Sequence, residues 1–321
     1  MSTQTTDSRP SFVWIALPIV YVVWGSTYLG IHFLVQTMPP LIGAGMRFLA
    51  AAVVLGAALV IRGGLGVLRV PWRRLGTAAA AGLLLLAGGN GMVGVAEQHI
   101  SSGLAALLVA SVPLWLVVFR WGTGDRPAVS TIAGVLVGFG GLALLTLTRG
   151  GGSGSPLGVA IVLGASLSWA IGSFLSARLP MPDNPFTATV YEMAAGGLVL
   201  LALGFGRGET LDLGEVSQAS WLALAYLIVF GSLVAFTSYV WLLGNAPISL
   251  VGTYAYVNPA VAVLLGVAFA GEHATWMIVL GGLIIVLGVG LVVSTERRVR
   301  TAPAPEPDPA IEPLPQAADG W

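Results

Sequence analysis

The sequence predicts an all-α integral membrane protein, with ten transmembrane helices in two inverted five-helix repeats around a central cavity. Three observations predict it. Hydrophobic residues make up 56% of the 321-residue chain and charged residues 9%, and the mean hydropathy is +0.89. A water-soluble domain covers itself with about 25% charged residues, so lipid must be the solvent here. Ten apolar runs each approach the roughly 20 residues that a helix needs to cross the hydrocarbon core. Lastly, marked residues recur at a nearly constant offset: Trp24 and Trp169 are 145 apart, Ser26 and Ser173 147, Pro113 and Pro259 146. Gly134 and Gly141 likewise return as Gly281 and Gly288. Five spans per half is an odd number, so the second copy must enter the membrane from the other face.

The elements follow in order. The first span, 12–34, is too long for a signal-peptide core of roughly 7–15 residues and has no A-x-A-like site after it, so it is expected to be retained. Met38-Pro39-Pro40 separates it from 40–61, and the charged stretch Arg69 to Arg74 precedes 75–96. The fourth span, 102–119, ends at the turn residues Gly122 to Pro127, which lead into 129–147. Gly150 to Pro156 links the halves, 157–177 opens the second, and Pro180 to Pro185 separates it from 186–205. The runs 219–243, 248–270 and 275–294 complete the set. A β-barrel is excluded because its strands alternate apolar and polar residues, whereas these runs are unbroken.

This gives a short N-terminus (1–11), a first repeat (12–148), a linker (149–156), a second repeat (157–294) and a tail (295–321). The tail is rich in Pro and acidic residues, cannot bury a core, and is expected to be disordered. With the N-terminus in the cytoplasm, that side collects eleven arginines and the other only Arg149 and Arg207, with Arg47 inside a span. The positive-inside bias thus predicts a multi-pass protein of the cell membrane with both termini cytoplasmic.

Composition also excludes. The chain has no Cys and three scattered His, so disulfides, Fe–S clusters and a metal site are not expected. A formal net charge of zero without a basic patch gives no reason to expect nucleic acid. No G-x-x-x-x-G-K-[ST] run is present, and no cofactor is implied. H-E-x-x-H and G-x-S-x-G are also missing, which argues against an intramembrane enzyme.

Candidate site residues are those too polar or too large for lipid at central depth. The run Trp24-Gly25-Ser26-Thr27-Tyr28 sits in the middle of the first span, and Trp169 and Ser173 stand correspondingly in the sixth. Tryptophans usually gather at the membrane interfaces, as Trp14, Trp72, Trp221 and Trp276 are placed to do. The central pair is expected either to line a cavity or to fill space between helices. The common alternative for Ser26, Thr27 and Ser173 is a hydroxyl bonded back to its own helix carbonyls. In the ninth span Tyr254 and Asn258 are four apart and share a face. Pro259 and Pro113 each remove a backbone donor and mark helix breaks at matching places, and such breaks beside polar side chains are a binding-site signature. Asn90 lies within Gly88-Gly89-Asn90-Gly91, where small neighbours permit close approach.

Charged groups complete the set. Arg47 and Glu192 lie seven residues past the helix-opening Pro40 and Pro185, hence roughly 10 Å deep from opposite faces. They read as mirror-related gate or substrate charges, or else as a snorkelling Arg and a Glu bonded to a neighbouring helix. A direct ion pair is at the limit of their reach. Glu97, at the end of the third span, is placed to rim the cavity and to bind a coupling proton.

The segments WGSTYLGIHFLVQTMPPLIGAGMRFLAAA (24–52), GGNGMVGVAEQHISSGLAALLVASVPLWLVVF (88–119), LSWAIGSFLSARLP (167–180) and TYAYVNPAVAVLLGVAFAGE (253–272) resemble EamA-type transporters of the drug/metabolite transporter superfamily. The resemblance covers nearly all of residues 12–294, with Asn90 to Trp115 most specific and closest to the drug/metabolite exporters. It implies ten helices in two inverted halves, alternating access, and a small-molecule substrate beside membrane lipid. It implies no ATP site. The reading is therefore a secondary transporter, an exporter of a small metabolite, amino acid or drug-like compound. The alternatives are a sugar or nucleotide-sugar importer or exchanger of the same superfamily, an intramembrane enzyme, and a structural or receptor bundle. A phosphate-bearing substrate would want several buried cations, and Arg47 alone is offered.

Overall fold

The computed structural model describes residues 9–96, 99, 108–148, 155–255, 257, 258, 260, 261 and 276–301. Among them every regular element is helical. The first half comprises α1 (Arg9–Leu34), α2 (Pro40–Gly63), α3 (Trp72–Ala96), α4 (Val112–Gly122) and α5 (Val129–Thr148), with a short 3₁₀ turn at Leu65–Leu68. The second comprises α6 (Pro156–Ser176), α7 (Pro185–Gly206), α8 (Gln218–Asn245), α9 (Ile248–Val251) and α10 (Trp276–Thr301). Helices α2, α3, α6, α7 and α8 are long and apolar enough to cross a membrane, and shorter apolar runs lie at Phe12–Thr27, Val112–Gly122, Val129–Gly141 and Leu283–Val292. Helix α10 continues past 294 to Thr301, so the helical pattern extends into the stretch assigned to the tail.

The helix starts obey local chemistry. Pro40, Pro156 and Pro185 occupy the first turn, where a missing N–H costs nothing. Ser155 Oγ accepts from Gly158 N (3.1 Å) and Asn184 Oδ1 from Phe186 N (2.9 Å). The start of α2 lacks such a residue and is capped from a distance. The Glu209 carboxylate, from the α7–α8 connection, accepts from Leu41 N (3.2 Å) and Ile42 N (2.9 Å).

The second helices of the two halves, α2 and α7, pack against each other and run antiparallel. A Cβ added to Gly197 would meet Leu49 N at 3.0 Å, and one on Gly204 would meet Ile42 N at 3.2 Å, while Gly56 faces Val190. Positions climbing α2 therefore meet positions descending α7. The same holds for α5 and α10: a Cβ on Gly134 would lie 2.8 Å from the Gly288 carbonyl, and one on Gly141 2.9 Å from that of Gly281. Repeat mates that meet head to tail are what an inverted repeat requires. The glycines that recur in the sequence are thus the points where the backbones touch, in the manner of small-residue packing in membranes.

Helices α3 and α8, the third of each half, both carry a π-helical stretch, Leu83–Gly91 and Leu227–Phe236. Such wide turns are uncommon and gather at functional sites. Both stretches face the interface between the halves.

Candidate functional site

A cavity opens between the two halves. Its floor lies at mid-depth, where Trp24 on α1, Trp169 on α6, and Tyr254 and Asn258 in the ninth span line it together. Its walls rise past Arg47 and Phe48 on α2 and Asn90 on α3 to Leu34, Val35 and Pro40 at the α1–α2 turn. The two π-helical stretches supply Gly89, Asn90, Gly91, Gly231 and Phe236.

The aromatic floor is tied together. Trp24 meets Trp169 edge-on at 5.7 Å and Tyr254 edge-on at 5.0 Å between ring centroids. The Trp24 Nε1–H donates to the Gly231 carbonyl (3.1 Å), anchoring α1 to the wide turn of α8. By contrast Trp14, Trp72, Trp221 and Trp276 are exposed, as interfacial residues are.

Tyr239 on α8 is the residue that sequence reasoning missed. Its ring packs on Trp24 (5.0 Å), Tyr254 (5.5 Å) and Trp169 (5.7 Å). Its hydroxyl accepts from Trp169 Nε1 (3.0 Å) and is hydrogen-bonded to Tyr254. Ser173 Oγ donates to the Trp169 carbonyl (2.7 Å), so in its 2.5 Å contact it accepts a hydrogen bond from the Tyr239 hydroxyl. Tyr239 has no aromatic partner at the matching place in the first half, so a search by repeat offsets passes over it. A phenol deep in an apolar span was the available signal.

Several hydroxyls do bond to their own helix. Ser26 Oγ donates to Val23 O (2.7 Å) and also meets the Tyr226 hydroxyl (2.6 Å), whereas Thr27 Oγ1 donates to Trp24 O (2.7 Å). Thr27 lines the cavity, whereas Ser26 and Ser173 do not. The Asn258 amide nitrogen, assigned by its partners, donates to the carbonyls of Tyr21 (3.1 Å) and Tyr254 (3.2 Å). Beneath it, the Tyr21 hydroxyl bonds Thr253 Oγ1.

The fourth and ninth spans are each interrupted beside the cavity, but in the ninth the turn lies before Tyr254 rather than at Pro259, around which the described residues are helical. Leu108 and Val109 are helical, Ala110 and Ser111 form a turn, and α4 restarts at Val112 with Pro113 in its first turn. In the ninth span α9 ends in a turn at Gly252–Thr253, and the helix resumes at Tyr254. Pro259 and Glu97 lie outside the described residues, as does the side chain of Tyr28 on α1.

Arg47 and Glu192 do not pair. Arg47 is 4% exposed and donates from Nε to Ser232 Oγ (2.9 Å), with its guanidinium carbon 4.8 Å from the Phe48 ring centre. It does not snorkel. Glu192 is fully buried on α7, and among the described residues neither carboxylate oxygen has a hydrogen-bond partner. The expected bond to a neighbouring helix is not made, and Glu192 does not line the cavity.

The end of the bundle away from the α1–α2 turn is closed. Phe12 packs edge-on against Trp241 at 5.0 Å. Asp125, in the α4–α5 loop, accepts from Arg120 Nε (2.9 Å) and lies 3.6 Å from Arg178 at the end of α6. Arg120 also bonds Ser249 on α9, and Arg178 stacks on Phe174 at 3.8 Å. The hydrogen bond from Arg120 holds the Asp125 carboxyl below the usual carboxylate range, helped by the charges of both arginines. This cluster joins the first half to the second.

Comparison with known proteins agrees with this architecture. The chain is 42% identical to the "Uncharacterized inner membrane transporter YedA" of Escherichia coli K12 over 278 residues, 86% of this chain and 89% of that one. It is 24% identical to the "Uncharacterized transporter YvbV" of Bacillus subtilis, over 89% of this chain and 93% of that one. A crystal structure with 23% identity superposes with a TM-score of 0.75, covering 91% of this chain and 99% of that one, and shares its fold. The profile of the EamA-like transporter family matches residues 12–147 and again 156–294. The chain belongs to the EamA-like transporter family.

Proposed function

We propose that the protein is a secondary transporter that moves a small amphipathic metabolite, amino acid or drug-like compound by alternating access, working as an exporter. The observation that carries this reading is the cavity between the halves, with its aromatic floor, one buried cation and two amides. Aromatic faces suit stacking and cation–π contact, and a few placed polar groups orient a ligand. The domain reading, repeats at 12–148 and 157–294 joined by 149–156, fits the two motions that alternating access needs. The α1–α2 turn, toward which the cavity opens, is the extracytoplasmic end if the arginine bias sets orientation, so the conformation is outward-facing. Trp24, Trp169, Tyr254, Asn258 and Asn90 contact substrate in this reading. Tyr239 and Ser173 position them, and Arg47 and Glu192 act as charges of the transport cycle.

Counterflow in proteoliposomes against an amino-acid and metabolite panel tests the class. Saturable uptake of one compound that Trp24→Ala abolishes supports it; a panel without counterflow, from protein that binds ligand, overturns it. Orientation is tested by cysteine labelling, which is clean in a chain without Cys. Thiols introduced at Ser2 or Gly64 should be shielded from an impermeant reagent in intact cells, and their labelling would reverse the direction assigned here.

A further inference from the structure

We infer that Arg47 is a carboxylate subsite, and that the ligand of the cavity carries one negative group on an apolar tail. The inference rests on reading the cavity as the transport site and goes on to name the chemistry it selects. Arg47 lies in a membrane-crossing helix, and a guanidinium keeps its charge wherever it is placed. An unpaired cation in that setting is costly, so its environment must answer the charge. The protein does so only in part. Nε is used by Ser232, and the Phe48 ring takes one face.

The two terminal nitrogens have no acceptor among the described residues, and they are not among the polar atoms sealed from the cavity. Glu192, on the helix that packs along α2, leaves both of its oxygens unbonded rather than turning them to Arg47. The described ion pairs are all elsewhere, at Arg74–Asp183, Arg120–Asp125 and Arg178–Asp125. No Asp or Glu lines the cavity among those residues. Gly231 makes the place possible. A Cβ there would lie 2.6 Å from Arg47 Nη2 and 3.3 Å from Cζ, so only a glycine leaves room for the guanidinium beside the wide turn. The two terminal nitrogens of a guanidinium present parallel N–H groups, the geometry that matches a carboxylate bidentately. Trp24 and Trp169 on the floor take the apolar remainder.

Three probes share one skeleton and differ only in the head group: 3-phenylpropionate, 3-phenylpropionamide and 3-phenylpropylamine. Binding to the purified full-length protein is read by thermal stabilisation in detergent, and transport by counterflow in liposomes. The carboxylate should bind at least about tenfold more tightly than the amide or the amine, since it alone gains a charge-assisted pair. Arg47→Gln should erase that preference while leaving residual binding of the amide, and Arg47→Lys should restore part of it. Equal binding of acid and amide to the unaltered protein overturns the inference without any variant, which protects the test should Arg47→Gln fold poorly. Equal stabilisation by chloride alone overturns it too, since that would make Arg47 an unselective anion site. Carboxylate binding without counterflow would instead refute the transport reading and leave the subsite standing. Counterflow of the amine alone would do the reverse.

Discussion

The indole of Trp24 meets that of Trp169 edge-on at 5.7 Å, although the two residues stand 145 apart in sequence and belong to different halves. These two residues meet between the halves, so the floor of the cavity is also the seam between them. Any rocking of one half on the other must move these rings past each other. Trp24→Ala removes contacts with Trp169, Tyr239 and Tyr254, each worth about 0.5–1.5 kcal/mol. Transport should fall about tenfold or more while membrane insertion stays unchanged. Trp24→Phe keeps the edge contacts but leaves the Gly231 carbonyl without its indole donor, and should retain part of the activity. Quantitative western blotting of membranes beside counterflow separates the two effects. If both variants transport normally, Trp24 only packs.

Glu192 allows a different separation. Both of its oxygens are buried without partners among the described residues, and an unsatisfied buried polar group costs about 1–3 kcal/mol. Glu192→Leu should therefore unfold at a higher temperature than the natural protein, and Glu192→Gln at a similar one. A protein made more stable but unable to transport would mark the carboxyl as a group kept for function. Lower melting temperatures for both variants would show a structural partner instead.

The glycines that recur between the halves make a sharper claim about packing. A Cβ on Gly288 would lie 2.7 Å from both the Gly134 carbonyl and the Gly138 Cα, and backbone cannot swing aside as a long side chain can. Gly134→Ala and Gly288→Ala should each lower thermal stability, and Gly288→Leu should abolish the folded species in detergent. Gly140 and Gly290 lie on the same two helices with nothing within 4 Å of an added Cβ. Alanine there should be neutral or stabilising by up to about 1 kcal/mol, through helix propensity. Equal losses at all four positions would dismiss the close approach.

Much of this was legible in the chain because a membrane simplifies the code. Apolar length gives the spans and repeated offsets give the halves, so the boundaries of α2, α3, α6, α7 and α8 agree with the runs read from sequence within a few residues. Cavity-lining residues were legible where repeat offsets marked them, as at Trp24 and Trp169, whereas the offset that joins Arg47 to Glu192 marked one residue that lines the cavity and one that does not. The remainder depended on contacts between helices that no offset encodes. Tyr239 has no counterpart to flag it. The π-helical stretches of α3 and α8 follow ordinary apolar sequence, and Glu209 caps α2 from another loop. Arg47 and Glu192 also illustrate the limit, since depth from each face does not reveal that Arg47 turns toward Ser232 and leaves Glu192 unpaired with it.

The closed end of the bundle supplies a pH test. Asp125 sits in a loop outside the spans, and its carboxyl is held below the usual range chiefly by the hydrogen bond from Arg120. A group whose folded value is lowered adds stability above its unfolded value, about 3.9 for aspartate, and loses it as pH falls through the folded value. The stability difference between the natural protein and Asp125→Asn should thus be constant from neutral pH down to about 5, then shrink below about 4. It should also be small, on the order of 0.2–1 kcal/mol, because Asp125 is half-exposed and water screens the pair. Thermal unfolding of both proteins across this range measures it, and added salt should reduce the difference further. Because Asp125 joins Arg120 of the first half to Arg178 of the second, the same substitution should ease opening at this end. Cysteines placed on Ser249 and its surroundings would then label faster in Asp125→Asn than in the natural protein. An unchanged labelling rate would show that the cluster braces the loop without holding the halves together.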